Sequence, residues 1–211
     1  MIPILLMGGG GHCKSVIDSI EQAQIFEVVG ITDLETKRGL TVLNYSIVGT
    51  EDDLVQWFEK GVTDCFITLG SIGNSAIREK LYRKAKEIGF SFPVIQDKSA
   101  IVSEHVTIDE GTFIGKGTII NADVVIGANA IINSGSIIEH DCHIDAYTHI
   151  APGTTLSGGV SVGTHTHIGT NSSVIQSVQI GSQTLIGAGS VVLKNIEDNC
   201  VAYGNPCKKV N

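Results

Sequence analysis

The chain has 211 residues, with 14 basic and 22 acidic side chains and a net charge of −8; 42% of the residues are hydrophobic but only 5% are aromatic. This length fits one large domain or two small ones. The 25 glycines follow no every-third-residue pattern and prolines number only 4, so a collagen-like chain and a disordered chain are excluded. Nucleic acids and anionic membranes are bound largely by cationic side chains. An acidic chain without a Lys/Arg block therefore argues against both partners.

The sequence contains no candidate for a secretion signal or a membrane helix. The apolar stretch Met1–Met7 is far shorter than a signal-peptide core, and no run approaches the ~18 apolar residues that span a bilayer. The 5 cysteines form no CxxC pair and lack the close Cys/His spacing that binds zinc. We therefore predict a cytoplasmic protein with reduced thiols, no membrane insertion and no bound metal.

The first 95 residues have the pattern of a small α/β domain. Apolar strands alternate with helices, at Pro3–Met7, Lys14–Ala23, Phe26–Ile31, Asp64–Leu69 and Ser75–Ile88. This alternation favours a parallel sheet covered by helices. We predict a Rossmann-like domain over residues 1–95 and a second domain over residues 96–211.

A run of four glycines follows the first predicted strand. Gly8 and Gly10 fit the first two places of a GxGxxG motif, but the third place is Cys13. Such a loop before a helix offers backbone N–H groups to a phosphate. The motif is incomplete and the domain is too short for a two-halved nicotinamide fold, so a sugar-linked nucleotide is a better candidate ligand than NAD.

The second half of the chain is a hexapeptide repeat. Counting in sixes from Val102 to Val192, sixteen consecutive hexads begin with an aliphatic residue, without an insertion, and the repeat extends over residues 102–197. The fifth position is mostly small or β-branched. The second is often Gly, Asn or Asp, which we expect to adopt positive φ at turns. A period of six fits a short strand and a corner, and three such sides close one coil of a parallel β-helix. Its narrow interior accounts for the many aliphatic and few aromatic residues.

The hexads resemble those of the hexapeptide-repeat acyltransferases. The resemblance implies a left-handed β-helix, whose handedness the period alone does not determine. It also implies a homotrimer with acyl-CoA bound between neighbouring subunits.

The whole chain resembles one subgroup of that superfamily, the bacterial sugar acetyltransferases. These include sialic acid O-acetyltransferase and the N-acetyltransferases of nucleotide-linked 4-amino-4,6-dideoxy sugars. The resemblance lies in Met7–Val16, Ile31–Asp33, Gly73–Asn74, the hexads and Gly204–Pro206. It implies that the N-terminal domain holds the nucleotide-sugar through Gly8, Gly10, Gly11, His12, Asp33, Gly73 and Asn74.

His140 is the candidate catalytic base. Acyl transfer from a thioester requires the acceptor to lose a proton, and a neutral imidazole suits this near pH 7. His140 occupies the third position of its hexad, outside the interior positions, and precedes Asp141. In the family the matching histidine is the proposed base and the next carboxylate orients it. Cys142 is a rival nucleophile, but it occupies a small-residue fifth position, where a packed thiol is the better interpretation.

His149 and Asn133 match two further family positions near the active site. His149 lies nine residues after His140, on another side of the coil, where the resemblance places the acetyl-CoA thioester. His149 and His167 are one coil apart, which predicts a solvent-facing ladder rather than a metal site. For acetyl-CoA we expect contacts with Gly169, Gly187, Gly189 and the basic side chains Lys194, Lys208 and Lys209.

The function predicted is acetyl-CoA-dependent N-acetylation of the 4-amino group of a nucleotide-linked sugar, by direct attack. Two alternatives stay open: O-acetylation of sialic acid or a related sugar, and a non-catalytic scaffold that binds a nucleotide-sugar. The sequence does not distinguish UDP, dTDP and GDP.

Overall fold

The computed structural model describes residues 1–210. It divides into two compact units. The first contains Met1–Gly70 and Ala76–Lys98, and the second contains Ser71–Ser75 and the chain from Ser99 onward. Nothing in the sequence pattern indicates that Ser71–Ser75, which follows a predicted strand and includes the first residue of a predicted helix, belongs with the second unit.

The first unit is built on a five-stranded sheet in the order β3-β4-β2-β1-β5. β1 pairs in parallel with β2 and β5, β2 pairs in parallel with β4, and β3 and β4 form an antiparallel hairpin. The elements in chain order are β1 (Ile2–Met7), α1 (Gly11–Ala23), β2 (Phe26–Thr32), a 3-10 helix (Glu35–Lys37), β3 (Thr41–Val42), β4 (Tyr45–Gly49), α2 (Leu54–Glu59), β5 (Asp64–Ile67), α3 (Ala76–Ile88) and β6 (Ile95–Gln96). The predicted α/β domain is confirmed, although β3, β4 and α2 were not predicted.

The core of the first unit forms where apolar faces of strands and helices meet. Val16, Ile17 and Ile20 lie on one face of α1 and are almost fully buried, as their spacing predicts. Leu5 of β1 and Ile67 of β5 belong to a cluster with Leu54, Leu81, Phe90 and Phe92. This packing fixes the carboxyl end of β1, where the glycine loop begins.

The second unit is a parallel β-helix with one short strand for every hexad. From Ile101 to Val174, each strand pairs in register with the strand 18 residues later, as in Ile119↔Ile137, which confirms the predicted coil. The strands are β7 (Ile101–Val102), β8 (Thr107–Ile108), β9 (Phe113–Ile114), β10 (Ile119–Ile120), β11 (Val125–Ile126), β12 (Ile131–Ile132), β13 (Ile137–Ile138), β14 (His143–Ile144), β15 (His149–Ile150), β16 (Thr155–Leu156), β17 (Ser161–Val162), β18 (His167–Ile168), β19 (Ser173–Val174), β20 (Gln179–Ile180), β21 (Leu185–Ile186), β22 (Val191–Val192), β23 (Val201–Tyr203) and β24 (Lys208–Lys209).

These strands form three sheets, one for each side of the coil. They are β7-β10-β13-β16-β19-β22, β8-β11-β14-β17-β20 and β9-β12-β15-β18-β21-β23-β24. First-position side chains such as Ile126, Ile144 and Ile168 are fully buried and join in one continuous core.

Hydrogen bonds between coils explain the small fifth-position residues. Their hydroxyl or thiol groups donate to the backbone carbonyl 15 residues later, at donor–acceptor distances of 2.7 to 3.3 Å. The donors are Thr112, Thr118, Ser136, Cys142, Thr148, Thr154, Thr166 and Ser172. Each buried polar side chain is thereby satisfied while it joins one coil to the next.

The predicted location of positive φ is wrong. Positive φ falls on the fourth position of every hexad from Gly111 to Gly189, including non-glycine residues such as Asp141 and His165. Glycines occur at the second position for a different reason, close approach to the next coil. A Cβ on Gly169 would lie 2.5 Å from the Ala188 backbone nitrogen.

No helix within residues 1–210 is long and apolar enough to cross a membrane.

Candidate active site

The glycine loop joins β1 to α1. Gly8 has a φ of 112°, and a Cβ there would lie 2.4 Å from Leu69 Cδ2, so only glycine fits. Gly10 and Gly11 face open space, since a Cβ on either would meet nothing within 4 Å. No side chain caps the start of α1. The loop therefore leaves room, and a helix N-terminus, for an anionic group.

Cys13, at the third place of the motif, packs beneath this loop. It is fully buried, and burial raises the pKa of its thiol to about 11. Cys13 is thus a packing residue in the position that a third glycine would occupy.

Asp33, directly after β2, ties the loop to the neighbouring strand. Its Oδ2 accepts hydrogen bonds from Gly9 N (2.7 Å) and Lys37 Nζ (2.9 Å), and its Oδ1 accepts from Leu34 N (2.7 Å). The carboxylate is 7% exposed. Burial would raise the pKa of Asp33, but these hydrogen bonds and the Lys37 charge outweigh it and hold the pKa below its ordinary range. A ligand at this position would therefore meet a carboxylate whose oxygens already bind three donors.

A cleft of about 400 Å³ opens beside Asp33 at the carboxyl ends of the strands. Ligands of open α/β sheets bind at such ends. Of the predicted residues, Gly8 and Asp33 line it, while Gly10, Gly11 and His12 are not among its lining residues. Sequence reasoning missed the other lining groups, which include Leu34, Glu35, Leu69, Ile77 and Lys80. Leu34 and Ile77 are apolar yet each is 67% exposed. Among these missed residues, Leu34 could have been found from sequence, because it directly follows Asp33 at the end of a predicted strand.

His140 and Asp141 form a hydrogen-bonded pair at the corner between β13 and β14. The distance from His140 Nδ1 to Asp141 Oδ2 is 2.7 Å, and the two side chains are 65% and 64% exposed. In the neutral ring Nδ1 donates to the carboxylate, so Nε2 keeps its lone pair. The hydrogen bond to Asp141, helped by the charges of Asp141 and Glu139, raises the pKa of His140 despite some desolvation. This arrangement suits a general base.

Asn133, His149 and the Ser71 carbonyl form a hydrogen-bonded chain in the β-helix unit. His149 Nδ1 lies 2.7 Å from Ser71 O, which can only accept, so Nδ1 carries the proton. His149 Nε2 lies 3.2 Å from Asn133 Nδ2 and accepts from it. Asn133 Oδ1 in turn accepts from Ser134 N at 2.8 Å, which fixes the orientation of the amide. This series of hydrogen bonds therefore specifies a neutral His149 with the proton on Nδ1.

His149 and His167 are not solvent-facing, contrary to expectation. Each is only 8% exposed, and their rings meet edge to face with centroids 4.8 Å apart. Burial lowers the pKa of His167, with the Ser71 backbone opposing the shift. The sequence could not indicate this burial, because Ser71 is far from both histidines along the chain.

Gly73 lies with the β-helix rather than in the cleft. A Cβ on Gly73 would lie 3.0 Å from Leu185 Cδ1, and Ser75 Oγ shares a hydrogen bond of 2.5 Å with His165 Nδ1. Ser71–Ser75, which includes Asn74, therefore contributes to the surroundings of His149 and His165.

Cys142 is a packed thiol. It is 1% exposed, its Sγ donates to Ser157 O at 3.2 Å, and burial raises its pKa. Both features disfavour a thiolate nucleophile.

The residues predicted for acetyl-CoA have mixed surroundings. Gly169 and Gly187 lie against the following coil, where a Cβ would be 2.5 Å from Ala188 N and 2.7 Å from Tyr203 Cβ respectively. Gly189 faces open space, and Lys194 and Lys208 are exposed. Within residues 1–210, no three His, Cys, Asp or Glu side chains are grouped to hold a metal ion.

Comparison with known families defines the class of protein. Residues 3–85 match the PglD N-terminal domain. Residues 105–140 and 123–158 match the bacterial transferase hexapeptide, and residues 159–194 match the hexapeptide repeat of succinyl-transferase. The chain is thus a hexapeptide-repeat transferase with a PglD-type N-terminal domain and a left-handed β-helix. No protein with curated annotation matches it in sequence.

Solved structures narrow the class to a family. A histidine-to-asparagine variant of perosamine N-acetyltransferase from Caulobacter crescentus, in complex with CoA and GDP-perosamine, is 38% identical, with 99% of this chain and 97% of that chain covered and a TM-score of 0.94. The acetyltransferase domain of PglB from Neisseria gonorrhoeae, in complex with acetyl coenzyme A, is 29% identical over 99% of both chains, with a TM-score of 0.91. WeeI from Acinetobacter baumannii is 25% identical over 100% of both, with a TM-score of 0.87. The chain belongs to the family of nucleotide-amino-sugar N-acetyltransferases within the hexapeptide-repeat superfamily.

Proposed function

We propose that this protein transfers an acetyl group from acetyl-CoA to the 4-amino group of a nucleotide-linked 4-amino-4,6-dideoxy sugar, for bacterial surface glycan synthesis. The observation that carries the proposal is the exposed His140–Asp141 pair, in which Nε2 is left to accept a proton. The similarity to an enzyme that holds CoA and GDP-perosamine supports the substrate class.

In this reaction His140 acts as the base. Its Nε2 accepts a proton from the sugar amine as the nitrogen bonds to the acetyl carbonyl carbon, and Asp141 stabilises the imidazolium that forms. A backbone N–H stabilises the negative charge on the carbonyl oxygen. The C–S bond then breaks, the sulfur leaves with the electron pair, and His140 returns its proton to solvent or to the leaving thiolate. Asn133 and His149 bind the thioester region.

A base assignment predicts that loss of the histidine leaves substrate binding intact. In the Caulobacter crescentus enzyme, a variant with a histidine replaced by asparagine is a complex with both CoA and GDP-perosamine. That histidine is therefore not needed to hold either molecule in that enzyme. We expect the same of His140 here.

The nucleotide-sugar occupies the cleft beside Asp33, with its diphosphate at the glycine loop. The phosphates are surrounded by Gly8, Gly10, Gly11 and His12. The nucleobase packs against the apolar side chains of Leu34 and Ile77. Acetyl-CoA extends along the C-terminal coils towards Lys194 and Lys208. The active enzyme is a homotrimer in the cytoplasm, and the five free cysteines suit that reducing compartment.

The test follows release of the CoA thiol with a thiol reagent, using acetyl-CoA and 4-amino sugars linked to GDP, dTDP or UDP. We expect turnover with at least one nucleotide amino sugar and none with the free sugar. His140→Ala should lower kcat by at least about 100-fold and leave KM nearly unchanged.

His143→Ala is the matched control, because His143 also pairs with an exposed aspartate, Asp145, at 3.0 Å. Turnover of sialic acid without a nucleotide would instead support the O-acetyltransferase alternative. No thiol release with any acceptor would support the scaffold.

A further inference from the structure

The imidazole of His140 lies directly over Gly158 of the following coil. A Cβ built on Gly158 would be 2.7 Å from His140 Cε1, 2.8 Å from Nε2 and 3.3 Å from Nδ1. Carbon atoms in proteins do not approach ring atoms that closely. Any side chain at this position would therefore displace the ring.

The backbone gives no other reason for a glycine at this position. Gly158 is at the third position of its hexad, and positive φ falls on its neighbour Gly159. Every other third position carries a side chain. These are Glu104, Glu110, Lys116, Ala122, Ala128, Ser134, His140, Ala146, Pro152, Thr164, Thr170, Gln176, Ser182, Ala188 and Lys194. The one glycine of the set follows His140 by exactly one coil.

The two corners cannot move apart to admit a methyl group. Gly159 N donates to His140 O at 2.9 Å, and Asp141 N donates to Ala122 O at 3.1 Å, so the His140 backbone is held from both sides. The His140 side chain, in contrast, has solvent on its open side into which it can rotate, since it is 65% exposed. A methyl at Gly158 would therefore rotate the imidazole into solvent and break its bond to Asp141.

We propose that Gly158 is a positioning residue for acetyl transfer. Because it has no side chain, it leaves the space that the His140 imidazole occupies while it is hydrogen-bonded to Asp141. This inference rests on the proposed function, in which His140 is the base. It adds that the active geometry depends on two successive coils of one chain.

The test is Gly158→Ala. We expect kcat to fall about 100-fold, as for a catalytic group misplaced by about 1 Å, with KM for both substrates and the melting temperature nearly unchanged. Gln176→Ala, which places an alanine at the same corner one coil later, is the control and should keep wild-type kcat.

A readout independent of activity is the titration of the His140 ring, followed by NMR. In Gly158→Ala the pKa of His140 should fall towards its ordinary value, because the hydrogen bond to Asp141 is lost. In a His140→Ala background the second substitution should have no further effect on activity, since both act through one group.

Wild-type kcat in Gly158→Ala, or an unchanged His140 titration in that variant, overturns the inference. If instead His140→Ala is fully active, the proposed function loses its base. The titration in Gly158→Ala still decides whether Gly158 positions the imidazole of His140.

Discussion

Asp141 reaches its histidine neighbour because of an unusual backbone angle. His140 and Asp141 lie between β13 and β14, outside the strands, where the alternation of side chains between opposite faces does not apply. Asp141 has a φ of 62°, in the left-handed region that aspartate tolerates better than most residues. The corner therefore turns the carboxylate towards the imidazole of His140.

Asp141→Asn tests the electrostatic part of this contact. Asparagine tolerates the left-handed backbone but has no charge to stabilise imidazolium. The raised pKa of His140 means that its neutral, active form appears only at higher pH. In the variant the acidic limb of the profile of kcat against pH should shift to lower pH, while the plateau falls because orientation is weakened. An unmoved acidic limb, with His140 still essential, would show that Asp141 does not tune the base.

Cys142→Ser tests the covalent alternative. Serine occurs naturally at other fifth positions and can donate the same hydrogen bond to Ser157 O. We expect kcat within about twofold of wild type, whereas loss of an acyl-accepting nucleophile would abolish turnover. Mass spectrometry of enzyme quenched after mixing with acetyl-CoA provides the second measurement, and an acetylated Cys142 would contradict direct attack.

At the scale of the repeat, a line of buried hydrogen bonds joins successive coils. Thr154 shows the effect cleanly, because its fully buried hydroxyl donates to Gly169 O at 3.1 Å. Thr154→Val keeps the shape and removes this bond, so it should lower the free energy of unfolding by about 1 kcal/mol in urea titration.

The matched control is Val160→Thr, at the fifth position of the next hexad. If the bond between coils is the stabilising element, a hydroxyl added there should be tolerated, because it can reach the carbonyl of Ile175. Equal destabilisation by both variants would mean that the fifth position selects for volume alone.

The hexad pattern predicted the coil but not the conformation at its corners. A six-residue period fixes which residues stack, because residues 18 apart share a sheet position. It does not say which place in the hexad turns. Gly, Asn and Asp occur at both the second and the fourth positions of the hexads. Second-position glycines such as Gly169 allow close approach of the next coil, whereas fourth-position residues such as Asp141 adopt positive φ. Only backbone angles separate the two.

At the scale of the whole chain, local and repeated signals predicted the strand ends and coils that carry the candidate site, and long-range contacts were missed. Gly8 and Asp33 follow strands and could be placed from sequence. The bond between His149 and Ser71 joins residues 78 apart, with no periodic pattern to reveal it. The buried His149–His167 pair was therefore wrongly predicted to face solvent.

The proposed trimer makes a prediction about shared sites. If His140 of one subunit works with His149 of its neighbour, His140→Ala and His149→Ala are each inactive alone but complement when co-assembled. Random mixing in equal amounts should restore about a quarter of wild-type activity, because that fraction of sites receives both histidines. Sedimentation velocity checks that the mixture is trimeric. Trimers without any recovery would place both histidines of a site in one chain.

The segment Ser71–Ser75 affects how members of this family can be recombined. A chimera made to accept a different nucleotide would exchange the N-terminal α/β unit and keep the β-helix. Treating residues 1–98 as one block would import a foreign segment at 71–75 and, with it, the carbonyl that sets the His149 tautomer. The graft instead needs three junctions, after Gly70, before Ala76 and after Lys98, so that each β-helix retains the five residues to which its histidines are matched.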